Sequence, residues 1–232
     1  MNRSATRWVA TAGVAVATVT LVLGIGVAAL FNPVFVGFEQ ARAGSTAWTG
    51  YTQEELRTAT DAILGQLYFG PGDFAVTVRG QPVLDPREQA HMRDVRGVFA
   101  GFFVLVLLSG VFLAVAGWWS RGAAWFWRAT RAGAIALAVG VVLLGVVSLV
   151  AFDALFEVFH RIFFAGGTYL FDPRTERLVQ LFPDLFWSET SIVLGVILLG
   201  LARVVVLVGR GRGTADARPD PEMQVRPVEA LR

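Results

Sequence analysis

Residues 85–120 read DPREQAHMRDVR and then GVFAGFFVLVLLSGVFLAVAGWWS. Asp85 stands as an N-cap, Pro86 as the first helical residue, and Glu88 closes a capping box three residues on. From Gly97 to Ser120 no charged residue occurs. A helix needs roughly 20 mostly apolar residues to cross the hydrocarbon of a bilayer. One unbroken helix is therefore expected to begin in water and finish across a membrane. His91 stands about one helical turn above the apolar surface, flanked at three-residue spacing by Glu88 and Asp94.

The rest of the chain repeats this pattern. Trp8–Phe38 and Ala132–Phe152 are also free of charge, and Ser188–Val208 carries only Glu189 and Arg203, one near each edge. Side chains at those edges can snorkel to water. The chain is 55% hydrophobic, with a mean hydropathy of +0.58. The expected fold is an all-α membrane protein with four transmembrane helices at about 8–31, 97–119, 132–154 and 188–208. Residues 1–208 form one membrane domain, and the Gly-, Arg-, Pro- and Asp-rich residues 209–232 read as a disordered cytoplasmic tail. The apolar run of the first span exceeds the roughly 7–15 residues of a signal-peptide core. Although Ala41-Arg42-Ala43 resembles a cleavage site, the span reads as a retained anchor.

Charge sets the expected orientation. Arg3 and Arg7 precede the first span. Arg121, Arg128 and Arg131 lie between the second and third without an acid, and Arg203, Arg210 and Arg212 surround the end of the fourth. Basic residues mark cytoplasmic loops, so both termini are expected in the cytoplasm and both longer connections outside. The basic residues form no soluble patch, and no nucleic-acid partner is expected.

The longer connections, 32–96 and 153–187, are expected to build an extracytoplasmic cap. Thr52-Gln-Glu-Glu55 is a capping box opening a short amphipathic helix with Leu56, Ile63 and Leu67 on one face. Phe74–Val78, Arg79-Gly80 and Gln81–Leu84 read as a small hairpin. The third span leaves the membrane through Asp153, Phe156, Glu157, Phe159 and His160, with Phe163 and Phe164 following. From Phe152 to Trp187 the chain holds eight of its eighteen phenylalanines, plus Tyr169. That density points to an apolar, partly enclosed chamber.

His91 and His160 are the only histidines, and the topology puts both on the outer side at similar depth. The chain has no cysteine, no lysine and no Gly-x-Ser-x-Gly elbow, so a covalent enzyme nucleophile is poorly supported. Acyl transfer with a nucleophile carried by the substrate needs only a base, a donor for the leaving oxygen, and proximity. Asp153 and Glu157 share a helical face with His160 and are expected to raise its basicity, which favours His160 as base and His91 as donor. Two alternatives stand beside this reading. Glu88-x-x-His91 and Glu157-x-x-His160, with Glu39 and Glu189, match a di-metal carboxylate pattern. A non-enzymatic tetraspan scaffold is the other. Arg93 and Arg161, near the histidines, are candidates for holding lipid headgroups.

Glu88-Gln-Ala-His91-Met92-Arg93-Asp94-Val95 resembles the His-Met-x-Asp-Val signature of the lipoprotein intramolecular transacylase (Lit) family. Phe156-x-x-Phe159-His160-x-x-Phe163-Phe164, followed by Leu178-Val-x-Leu181-Phe182-Pro183-x-x-Phe186, resembles its second signature. The resemblance covers nearly the whole chain apart from the tail. It implies a four-helix enzyme of the bacterial plasma membrane that needs no cofactor and acts at the outer face on diacylglyceryl-modified lipoproteins among membrane lipids. The sn-2 acyl chain would pass to the α-amino group of the N-terminal cysteine, giving the lyso-form. His91 and His160 would be catalytic, supported by Glu88, Asp94, Asp153 and Glu157. Phe156, Phe159, Phe163, Phe164, Tyr169, Arg93 and Arg161 would contact substrate.

Overall fold

The computed structural model describes residues 3–164 and 168–213. Four helices are long and apolar enough to cross a membrane: α1 (Arg3–Leu30), α5 (Pro86–Trp119), α6 (Ala124–Phe163) and α8 (Asp184–Gly213). Four spans were expected and four are present. α5, α6 and α8 outrun the apolar segments read from the sequence, whereas α1 stops at Leu30, short of the charge-free run to Phe38. The tail boundary also moves, because α8 continues through residues 209–213, and residues 214–232 lie outside the described residues.

α1 is the hub of this bundle. It packs on α5, α6 and α8, whereas α5 and α6 touch each other sparingly. Lipid tails are as apolar as leucine, so hydrophobicity does not drive spanning helices together; close backbone approach does. Gly133 of α6 supplies one such approach: a Cβ there would lie 2.4 Å from the Ala15 carbonyl oxygen of α1. Gly26 of α1 likewise leaves room for Leu198 of α8. Val104, Leu107 and Val111 of α5, and Leu143, Leu144 and Val147 of α6, are exposed and available to lipid.

A second layer stacks on the end of the bundle where α1 stops and α5 starts. It contains α2 (Pro33–Arg42), α3 (Ser45–Thr49), α4 (Gln53–Tyr68), the ribbon β1 (Thr77–Val78) and β2 (Gln81–Pro82), and α7 (Arg177–Leu181). The amphipathic helix and the hairpin were expected; α2, α3 and α7 were not. α2 begins where Asn32 accepts from the amides of Val34 and Phe35 and Pro33 takes the first helical position. α4 carries both halves of its capping box between Thr52 and Glu55. In the hairpin, Arg79 (φ 53°) and Gly80 (φ 72°) both take the left-handed region, as a two-residue turn with matching twist requires. Glu55 binds the Arg79 guanidinium at 2.5 and 2.6 Å, tying the turn to the start of α4.

The core of this layer runs through Leu56, Ile63, Phe74, Val83, Leu84, Leu181 and Phe186, all nearly inaccessible. Arg96, on the stem of α5, donates to the carbonyls of Gln66 and Gly70 at 2.6 and 2.7 Å. It thereby satisfies carbonyls at the C-terminal end of α4, where a cation is favoured.

α6 carries His160 near its C-terminal end. Its backbone leaves helical geometry at Ala151 (φ −145°, ψ 37°) and then resumes to Phe163. The break follows Ser148, whose hydroxyl donates to the Leu144 carbonyl, a back-bond that bends helices. The last three turns of α6, which bear His160, are set off from the span below.

Candidate active site

The first turn of α5 is the anchor from which the site is built. Asp85 accepts from the amides of Arg87 and Glu88, and Glu88 returns one oxygen to the Asp85 amide at 2.7 Å. The other oxygen of Glu88 accepts from the Leu178 amide of α7 at 2.6 Å. Glu88 is 1% exposed, and its bond to Leu178 is made away from water, where an unmade bond is costly. At the far end of α7, the Leu181 carbonyl accepts from the Gln40 amide and the Ser45 hydroxyl, each at 3.0 Å. A five-residue helix has little stability of its own; buried side chains hold this one at both ends.

One turn after Glu88, His91 is buried. His160 faces it, with ring centroids 6.2 Å apart and planes 22° from parallel. Phe164 wedges against both rings, at 4.7 Å from His91 and 5.5 Å from His160. Phe171 meets His91 edge-on at 5.4 Å. Phe156 at 4.1 Å, Tyr169 at 5.0 Å and Phe159 at 5.4 Å complete the walls around His160. Trp187 of α8 lies 6.1 Å behind Phe156. Rings from the phenylalanine-rich segment pack directly on the two imidazoles.

His160 Nδ1 lies 2.8 Å from the Phe156 carbonyl oxygen. A carbonyl only accepts, so Nδ1 carries the proton and a neutral ring presents its lone pair at Nε2. His91 Nδ1 is buried without a hydrogen-bond partner among the described residues.

Other expected members stand elsewhere. Asp153 and Glu157 do not support His160: Asp153 is exposed, and Glu157 binds Arg161 at 2.5 Å on the surface of α6. The i,i+4 ion pair with an arginine takes the carboxylate that i,i+3 spacing had offered to the imidazole. Arg93 and Asp94 are exposed on α5. Phe163 is 47% exposed and packs on Phe159, outside the imidazole pair.

The di-metal donor set does not assemble. Glu88 is committed to two backbone amides, Glu157 to Arg161, and Glu189 to Arg42 at 2.7 and 2.9 Å. Among the described residues no three His, Asp or Glu side chains converge to hold a metal ion.

Phe171, Arg87 and Gln40 are members that the sequence did not single out. Phe171 lay within the counted phenylalanine-rich segment, but nothing in its spacing paired it with His91.

A bundle of four apolar helices with a facing imidazole pair at one end defines an all-helical integral membrane protein. The chain belongs to the lipoprotein intramolecular transacylase (Lit) family, whose model matches residues 8–187. It is accordingly an acyltransferase acting on lipoproteins. The fold is similar to that of the membrane-integral lipoprotein intramolecular transacylase Lit from Bacillus cereus. The TM-score is 0.77 at 15% identity, over 93% of this chain and 99% of that one. Two variants of the same protein also match at 15% identity over 93% of this chain. One has a histidine replaced by arginine (TM-score 0.75, 95% of that chain) and one by alanine (0.76, 97% of that chain). No curated protein sequence matches the chain.

Proposed function

We propose that the chain moves the sn-2 acyl group of a diacylglyceryl-modified lipoprotein onto the α-amino group of the same molecule's N-terminal cysteine. The observation that carries this reading is the stacked imidazole pair within an aromatic wall. The chain has no cysteine or lysine to offer as nucleophile. An amine and an ester on one substrate remove the need for an enzyme nucleophile. They still require a base, a donor and enforced proximity.

An α-amino group has a pKa of about 8, so about a tenth is neutral at pH 7. The neutral amine attacks the ester carbonyl, the C–N bond forms, and the glycerol C–O bond breaks. His160 Nε2 takes the proton that the nitrogen sheds. His91 stabilises the oxyanion as a hydrogen-bond donor, and the proton held by His160 passes to the leaving glycerol oxygen. The products are an amide and a free hydroxyl, the lyso-form lipoprotein. Phe156, Phe164 and Tyr169 pack around the pair, and the exposed Arg93 and Arg161 are assigned to headgroup contact.

α5 and α6, which carry the two histidines, touch each other sparingly, and this reading has the acyl chain arrive from the bilayer between them. Arginine placement puts both termini in the cytoplasm and the histidines at the outer face of a bacterial plasma membrane. The test is mass spectrometry of a reporter lipoprotein's N-terminus in a host lacking other lipoprotein acyltransferases. Expression of the chain is expected to yield the N-acyl lyso-form; persistence of the diacyl form with a free amine contradicts the reading.

A further inference from the structure

We propose that Arg87 is a positioning residue holding an aromatic roof over the histidine pair, and that this roof decides whether the acyl group goes to the amine or to water. The inference rests on the transacylation reading above and concerns the fate of the ester at the same site.

Residues 169–176 pass over the two imidazoles, with Tyr169 on His160 and Phe171 on His91. Arg87 grips this segment in three ways. Its guanidinium donates to the Leu170 carbonyl at 2.5 Å and to Glu176 Oε1 at 2.7 Å, and its carbon lies 4.7 Å above the Phe171 ring. Glu176 in turn accepts from the Asp172 amide, while the Asp172 carbonyl accepts from the amides of Thr175 and Glu176. The turn at 172–176 is thus closed on itself and fastened to α5 from above.

Arg87 precedes His91 by one turn of the same helix. The residue that fixes Phe171 and the residue that Phe171 covers therefore move as one body. Arg87 is half exposed, and exposed ion pairs contribute little to stability. The cap is held instead by its apolar core and by Glu88. Placing three interactions of one arginine on the segment that covers the histidines gives it a role in geometry more than in folding.

The chemistry says why the roof matters. A base able to take a proton from an ammonium or amine can also activate water. Attack by the amine gives an amide and the glycerol hydroxyl. Attack by water on the same ester carbonyl gives a free fatty acid and the same hydroxyl, leaving the amine unacylated. The two imidazoles do not distinguish these outcomes; exclusion of water does.

The experiment uses the purified full chain in lipid nanodiscs with a synthetic diacylglyceryl lipopeptide. Mass spectrometry scores the N-acyl product against free fatty acid plus unacylated lyso-peptide. Wild type is expected to give the N-acyl product almost alone. R87A should raise the hydrolytic fraction at least threefold, with R87K between them, because lysine supplies the charge but not the planar fork over a ring. Phe171→Leu thins the roof without touching the ion pair and should shift the ratio the same way; it decides the matter if R87A does not fold. A fall in total turnover with an unchanged product ratio would show Arg87 to be merely structural and overturn the inference. If wild type produces neither outcome, the transacylation reading fails and the inference fails with it.

Discussion

Compare the contact of Gly133 with Ala15 and the contact of Glu88 with Leu178. The first joins α6 to α1 within the spanning bundle by removing a side chain, so that backbone meets backbone. The second joins α5 to α7 in the layer above by adding a buried carboxylate between two amides. Most of the bundle's large apolar side chains are exposed, although Val22, Leu30 and Leu198 are buried, and its core cluster holds only Val14, Phe126 and Ala129 among the described residues. The layer above has the inside-out pattern of a soluble domain, with sixteen buried apolar residues and buried Glu39, Gln40, Thr60 and Glu88 among them. Lipid solvates the first region and protein encloses the second. The proposed chemistry falls where they meet: His91 lies on the stem of α5 above its charge-free run, and His160 lies on the last turns of α6 beneath Tyr169.

This contrast can be broken from either side. The largest effect on stability is expected for Glu88→Ala, which leaves the buried amide of Leu178 and the part-buried amide of Asp85 without an acceptor. At about 1–3 kcal/mol for each unsatisfied group, the loss is about 2–6 kcal/mol, read as a lowered melting temperature in detergent. Retention of the wild-type melting temperature would show that α7 is held by its apolar contacts alone. Next comes Gly133→Ala. Its Cβ would meet backbone that cannot rotate aside, and overpacking of this kind costs about 1–3 kcal/mol. Gly97→Ala meets open space and should change stability by less than about 0.5 kcal/mol. Equal melting temperatures for the two alanine variants would contradict close packing of α1 on α6.

The smallest effects separate two carboxylates of the upper layer by pH. The Arg79 guanidinium and the Thr52 amide hold Glu55 down at about 2, against an ordinary 4.5. Its contribution is present above pH 4.5 and is lost as pH falls toward 2. Burial and the nearby Glu189 carboxylate push Glu39 up to about 7. Its carboxyl is therefore best accommodated below pH 4.5, and stability falls as pH rises through 7. A melting-temperature profile should flatten below pH 4.5 in Glu55→Gln and between pH 4.5 and 7 in Glu39→Gln. Profiles that change in the opposite windows would show that these contacts are not made.

The bundle was legible because charge-free runs of spanning length have few other readings. The helix from Asp85 through His91 was legible for the same reason, its capping box and its apolar run agreeing on one register. The end of the first span near residue 31 was expected, but α2 was overlooked although Asn32-Pro33 is a helix-start signal, since no charge interrupts Trp8–Phe38 to mark a surface. α7 has no local signature; Glu88 and Gln40, distant in sequence, define it. The carboxylate support of His160 was misread because spacing along a helix shows which side chains can meet, and Arg161 met Glu157 first. The grip of Arg87 on Leu170 and Glu176 spans more than eighty residues, a distance over which periodicity carries no information.

The central claim is that two imidazoles and no enzyme nucleophile perform the transfer. It is tested most directly by the N-terminal mass of a reporter lipoprotein made in cells expressing wild type, His91→Ala or His160→Ala, with the level of inserted protein measured alongside. Wild type is expected to convert the diacyl lipoprotein to the N-acyl lyso-form. Each variant is expected to reach wild-type membrane levels and leave the diacyl form with its amine free. Lyso-form produced at the wild-type rate by either variant would contradict the account.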